Sequence, residues 1–389
     1  MTSCLADPNA LKYKENQFRK TLFKDNQMVR TNGILPSQAL RALIRDKEID
    51  GVLRVLDDQV QPASLDLRLG AKAFRIRASF LPGRGTSVAQ KLETVAMHEI
   101  DLTGGAVLET GCVYLVPLME SLQLSERISG VANPKSSTGR LDVFTRLISD
   151  GATSFDRVEA GYRGPLYIEI SPRTFSVLVR PGTRLNQLRL RRGTPSFSDS
   201  ELMRLHEREG IVQGEADIDG GIACTVDLEP AKDTGLVGYR AKRHAGLVDV
   251  DKPGLLKARD FWEPVIAEYP GRLILDPDEF YILVSKEAIH IPPDYAAEME
   301  PFNPLVGEFR VHYAGFFDPG FGHSESGGSG ARAVLEVRSH DVPFILDDGQ
   351  IVARFVFEHM MERPDEIYGQ DIGSNYQAQG LKLSKHFVM

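Results

Sequence analysis

Hydrophobic and polar positions change their period along the chain. Residues 1–34 are polar, with scattered lysines and no sustained period, which predicts an extension that docks on a partner subunit or stays mobile. After Leu35-Pro36-Ser37, residues 38–45 carry apolar side chains at helical spacing, with Ser37 placed to cap the helix. From Ile49 onward, short alternating apolar runs are broken by Gly, Pro and Asp, the pattern of strands and turns. Helical spacing returns over residues 201–208, where Ser198 stands three positions before Glu201 as in a capping box. That helix is expected to end near Gly210, and a new β-rich block begins around Gly214. The expected division is an extension (1–34), a first β domain (35–212) and a second (213–389).

The two β blocks repeat each other. Glu159-Ala160-Gly161-Tyr162-Arg163-Gly164 leads to a strand with Tyr167-Ile168-Glu169, and Ala314-Gly315-Phe316-Phe317-Asp318-Pro319-Gly320-Phe321 leads to Val334-Leu335-Glu336. The two glutamates stand 167 positions apart. The same offset carries the strand-turn-strand pattern starting at Val107 onto that starting at Ile274, and the turn glycine Gly182 onto Gly349. Three matches at one offset imply a tandem duplication, and 389 residues give room for it.

Composition narrows the class. The chain is 42% hydrophobic with 35 Gly and 22 Pro, which suits a turn-rich globular protein of many short strands. No apolar run approaches the roughly 20 residues of a membrane span, and the first residues lack the basic flank and apolar core of a signal peptide. Cys4, Cys112 and Cys224 are odd in number and unpaired in spacing, so neither a disulfide framework nor a zinc site is expected, and a cytoplasmic location is. Net charge of −8 argues against nucleic acid as a partner and requires any polyanionic ligand to find a local cationic pocket. The nine histidines form no cluster at metal or triad spacing, and Trp262 is expected to pack rather than stack on a base.

One such pocket is offered by Lys135-Ser136-Ser137-Thr138-Gly139-Arg140: two cations, three hydroxyls and a permissive glycine in six residues, able to wrap an oxyanion. The second copy has no equivalent. With Gly307 set against Gly139, Glu308 falls opposite Arg140, Leu305 opposite Ser137 and Pro304 opposite Ser136. The acidic turn is asymmetric in the other direction, because copy two keeps Asp318-Pro319-Gly320 where copy one has Glu159-Ala160-Gly161.

Four segments resemble the dCTP deaminases of the trimeric dUTPase superfamily. They are Gln61-Pro62-Ala63-Ser64-Leu65-Asp66-Leu67-Arg68-Leu69-Gly70, the 135–140 motif, the stretch from Ala314 to Glu336, and Tyr376-Gln377-Ala378-Gln379-Gly380. The resemblance implies a mainly β fold, a tandem duplication of a dUTPase-like β-barrel (β-clip) domain with a few short helices. It implies hydrolytic deamination of dCTP to dUTP and ammonia in support of dUMP and thymidylate synthesis. The chemistry would be metal-free at C4, with Mg²⁺ bound only to the substrate triphosphate; the zinc-deaminase signature needs a Pro-Cys-x-x-Cys element, which does not occur. Implied partners are dCTP, dTTP as a feedback inhibitor, and further copies of the chain in a homo-oligomer, a trimer being favoured.

Residue by residue, the resemblance makes Glu336, or Glu169 in copy one, the general base and acid, with Ser136 and Arg140 completing the catalytic set. Lys135, Ser137, Ala314, Asp318, Glu159, Tyr376 and Gln379 would bind substrate, Asp318 through the deoxyribose 3′-hydroxyl. Lys382 and Lys385 add charge near the tail. Sites in this family form between neighbouring subunits. The reciprocal losses in the two copies predict one composite site, with Ser136 and Arg140 from copy one and Asp318 and Glu336 from copy two. Two other readings stay open: a dUTPase or bifunctional deaminase giving dUMP and pyrophosphate, with Glu159 activating water, and a non-catalytic nucleotide sensor. The insert starting at His323 is expected to be a flexible surface tip, with a reach toward a pocket as the alternative.

Overall fold

Each half of the chain is built from the same set of strands in the same register. In this computed structural model, the residues described are 30–213, 215–267, 271–301, 309–312, 315–339, 342–369 and 380–389. In the first half, Arg163–Pro172 lies antiparallel between Val113–Gln123 and Val143–Ser149, with Glu169 opposite Leu115 on one side and Arg146 on the other. In the second, Ala331–Ser339 lies between Phe280–Ile289 and Phe309–His312, with Glu336 opposite Ile282 and His312. Leu115 and Ile282 are themselves 167 positions apart. The second sheet repeats too: Arg184–Arg192 is flanked by Ile128–Pro134 and Leu65–Arg68, and Ile351–His359 by Tyr295–Pro301 and Ile222–Thr225. A short pair, Ala106–Leu108 with Val177–Val179, recurs as Arg272–Leu275 with Phe344–Asp347. The fold is mainly β, a tandem duplication of one unit, as the alternation and the 167-residue offset imply.

The strands form because their apolar residues alternate. Along Val113–Gln123, Val116, Leu118 and Leu122 turn inward, while Pro117, Met119 and Ser121 are less buried. Helices are few and short. Ser37–Arg45 starts one residue earlier than its spacing predicts: Pro36 occupies the cap position without a side-chain bond, and Ser37 is the first helical residue. Asp199–Glu209 has the expected capping box between Ser198 and Glu201 and ends on Gly210 in the left-handed region (φ 63°), which glycine adopts without strain. Its Leu202 and Leu205 pack into the second-half core. A helix that the alternation did not suggest, Val88–Val95, is capped in the same way by Ser87 and Gln90.

The halves are joined by an apolar and polar seam. Phe175 of the first half packs edge-on against Phe261 and Trp262 of the second, and Phe387 closes the cluster. Trp262 is therefore a packing residue. Burying each such side chain is worth about 1.5–3 kcal/mol. Val248–Asp249 adds a parallel strand to Val177–Val179, and Arg180 grips Asp249 with two guanidinium nitrogens, at 2.7 and 2.9 Å. Arg338 of the second half pairs with buried Asp142 of the first and donates to Thr174 Oγ1. Near the end of the chain, Phe387–Val388 pairs in parallel with Leu256–Lys257.

Candidate functional site

The phosphate-loop motif forms a single helical turn, Ser136–Gly139, directly after the strand Ile128–Pro134. The Lys135 amide donates to Leu185 O, which ties the entry of the turn to the neighbouring strand. At the start of such a turn the first amides have no intrahelical acceptor. Lys135 pairs with Asp66, from the first of the four family-like segments. Arg140 leaves the turn almost fully buried, donates to Lys382 O at 3.1 Å, and brings its Nε to 3.8 Å from Glu336 Oε1.

The tail segment holds this turn from outside. Ser384 Oγ donates to Ser137 O at 2.9 Å and lies 2.9 Å from His386 Nδ1, whose other nitrogen lies 2.9 Å from Val250 O. Lys385 thereby joins Lys135 and Arg184 on the wall of a cavity of about 560 Å³. Burial pushes the Lys385 ammonium below its usual pKa, with the neighbouring Lys135 charge adding to the shift. These cations, with Asp58, Asp66 and Asp251 among them, are the candidate polyanion end of the cavity.

The opposite wall belongs to the second half. Gly315, Phe316, Phe317, Asp318, Val334 and Glu336 line the same cavity as Lys135, Ser136, Ser137 and Arg140. The turn after Asp318 needs Gly320: its φ is +94°, and an added Cβ would meet Ile367 Cβ at 2.9 Å. Burial raises the Asp318 carboxyl, opposed by the Arg189 guanidinium, whose Nη2 is 3.3 Å from Asp318 Oδ1. Glu336 is buried, and desolvation raises it from 4.5 to about 8 against the pull of Arg140.

Of the residues singled out from sequence, the structure therefore gathers Lys135, Ser136, Ser137, Arg140, Asp318 and Glu336 around one cavity within a single chain. Glu169 is elsewhere. Its carboxylate is bonded by Arg146 at 2.6 and 3.0 Å, Arg146 also donates to Ser79, and the guanidinium lies over the Phe155 ring at 3.7 Å. Glu159 is exposed and does not line the cavity. Ala314, Tyr376 and Gln379 lie outside the described residues, as do Pro304, Leu305, Gly307 and Glu308.

One expectation changes. The insert at His323 is folded rather than a loose tip: Ser326 Oγ donates to Gly320 O, the Gly328 amide to His323 O, and Glu325 pairs with Arg363. It also brings the His323 ring to 5.3 Å from His290, a pairing of histidines that linear spacing hides. Sequence reasoning missed Arg184, Gln187, Asp58 and Asp251 on the cavity wall, and Arg189 behind it. The repeated turn glycine Gly182, which also lines the cavity, was the available pointer to Arg184 and Gln187.

Two copies of one β unit thus share one cavity, with cations at one end and the buried carboxyls of Asp318 and Glu336 at the other. The chain belongs to the 2′-deoxycytidine 5′-triphosphate deaminase family: the model of that family's N-terminal domain matches residues 31–194, and that of its C-terminal domain matches 198–387. A solved 2′-deoxycytidine 5′-triphosphate deaminase from Agrobacterium tumefaciens is 61% identical, covering 85% of this chain and 100% of its own, with a TM-score of 0.83. A dCTP deaminase of Haloarcula marismortui is 26% identical over 196 residues, 49% of this chain and 93% of the relative. A dUMP-forming dCTP deaminase of Halobacterium salinarum is 31% identical over 118 residues, 29% of this chain and 56% of the relative.

Proposed function

We propose that this chain converts dCTP and water to dUTP and ammonia in the cavity shared by its halves. The observation that carries this is Glu336, a buried carboxyl with a pKa of about 8 on the cavity wall, beside a guanidinium from the other half. Deamination needs a base to take a proton from water as it attacks C4, and an acid to protonate N3 and then the departing amine. A carboxyl whose pKa lies near the working pH serves both states, each transfer being worth about 10²–10⁴-fold. Arg140 stabilises the carboxylate form, and Ser136 orients the water and the leaving ammonia.

The remaining groups bind substrate. Lys135, Arg184 and Lys385 face the triphosphate, whose Mg²⁺ arrives with the nucleotide, and Ser137 joins them. Asp318 accepts from the 3′-hydroxyl, while Phe316 and Phe317 leave a ribose 2′-hydroxyl without a partner. dTTP carries the same sugar and triphosphate and competes for the same groups. The product dUTP serves a route to dUMP and thymidylate.

A second reading, release of dUMP and pyrophosphate, has the name of the Halobacterium salinarum relative in its favour. The acid offered for it, Glu159, is exposed and away from the cavity. Incubation with dCTP and Mg²⁺, resolving dUTP, dUMP, pyrophosphate and ammonia, separates the two. Ammonia with dUTP supports the deaminase, dUMP with pyrophosphate the bifunctional enzyme, and no ammonia at all overturns both.

A further inference from the structure

The geometry points to Arg189, a residue of the first half, as the positioning residue that holds the Asp318 turn of the second half in its sugar-binding form. The inference builds on the proposed role of Asp318 as the sugar ligand. Arg189 is 1% exposed and sits in the strand Arg184–Arg192. Its guanidinium crosses the seam and touches three successive residues of the turn. It stacks 4.0 Å from the centre of the Phe316 ring, and Nη2 is 3.4 Å from Phe317 O and 3.3 Å from Asp318 Oδ1. Nη1 donates to Ala297 O at 3.1 Å, on the strand paired with Phe316–Phe317, and lies 3.5 Å from Glu358 Oε2.

A planar fork of five donors, buried and stacked, fixes a carbonyl and a carboxylate relative to each other, which a flexible ammonium does not. It also supplies the positive charge that keeps a buried carboxylate able to accept a hydrogen bond. The duplication provides an internal control. Arg189 stands opposite Val131; at the equivalent place in the second half, Val356 stands opposite Glu298. Valine has no donor, and the acidic residue of the first half that corresponds to Asp318, Glu159, is exposed. The arginine is present only where the turn it contacts faces the cavity.

The test is a double-mutant cycle read in steady-state kinetics. Arg189→Met is expected to raise KM for dCTP about 10-fold or more, with a smaller change in kcat, and to lower the preference for dCTP over CTP. In an Asp318→Asn background the same change should move KM less than about twofold, because the partner it positions is gone. Arg189→Lys, which keeps the charge without the fork, should fall between wild type and Arg189→Met; it replaces Arg189→Met in the cycle if the latter does not fold. Independent, multiplicative effects on KM overturn the inference alone. A wild-type KM in Asp318→Asn overturns the sugar-ligand role, and the inference with it.

Discussion

Glu336 and Glu169 occupy the same register of the same sheet in two copies of one domain and are both buried, yet the groups around them differ. Glu169 has a cation on the neighbouring strand: Arg146, directly opposite, bonds it and is covered by Phe155. Glu336 meets its cation across the seam, at 3.8 Å rather than in a direct bond, with a cavity in front of it. A paired carboxylate is a structural ion; one held near neutrality beside open space can exchange a proton. Strand register was inherited intact. Proton chemistry was decided by which side chain stood one strand away.

The comparison breaks most visibly if Glu336→Gln still turns over. The variant is expected to lose at least about 10²–10⁴-fold in kcat for ammonia release, since one group serves both proton transfers. Arg140→Ala comes next, with an expected loss of about 10²–10³-fold, because a positioned donor to the reacting region disappears. Glu169→Gln should keep most of the activity and instead unfold more readily, as the partly buried Arg146 loses its counter-charge; a loss of turnover as large as that of Glu336→Gln would refute the composite site.

The smallest expected effect is on the pH dependence of stability. Folding raises Glu336 from 4.5 to about 8, so between those values the folded chain keeps a proton that the unfolded chain has lost. Stability therefore falls as pH rises through that window and levels off above it. Buried Asp156, raised from 3.8 to about 7, adds a slope of the same sign that ends earlier. Melting temperatures of wild type and Glu336→Gln should differ in slope from about pH 5 up to about 8 and run parallel above that, the Asp156 contribution being common to both.

Much of this was legible in the sequence for physical reasons. Strand alternation and turn glycines are local signals, so the 167-residue repeat could be found from one-dimensional spacing. Ser198 and Glu201 mark their helix for the same reason, and Ser87 with Gln90 is an equal signal for Val88–Val95, masked by the strand-like alternation around it. Lys135, Arg140, Asp318 and Glu336 stood out because both copies could be compared. Arg189 did not: in a run as basic as Arg184–Arg192, nothing local says that one guanidinium is buried and crosses into the other half. The folded insert at His323 was hidden likewise, since its bonds to Gly320 and Arg363 depend on where the chain returns.

The strand Val248–Asp249, laid along Val177–Val179, has a consequence for the life of the duplicated gene. Expressed alone, the first half would offer that edge, with its buried valines, to any other chain, an invitation to aggregate. The second half alone would lack the turn that carries Arg140. Two copies of a domain usually mean a spare; on the composite reading proposed above neither copy stands in for the other, and splitting the gene is expected to yield two inactive products rather than two small enzymes.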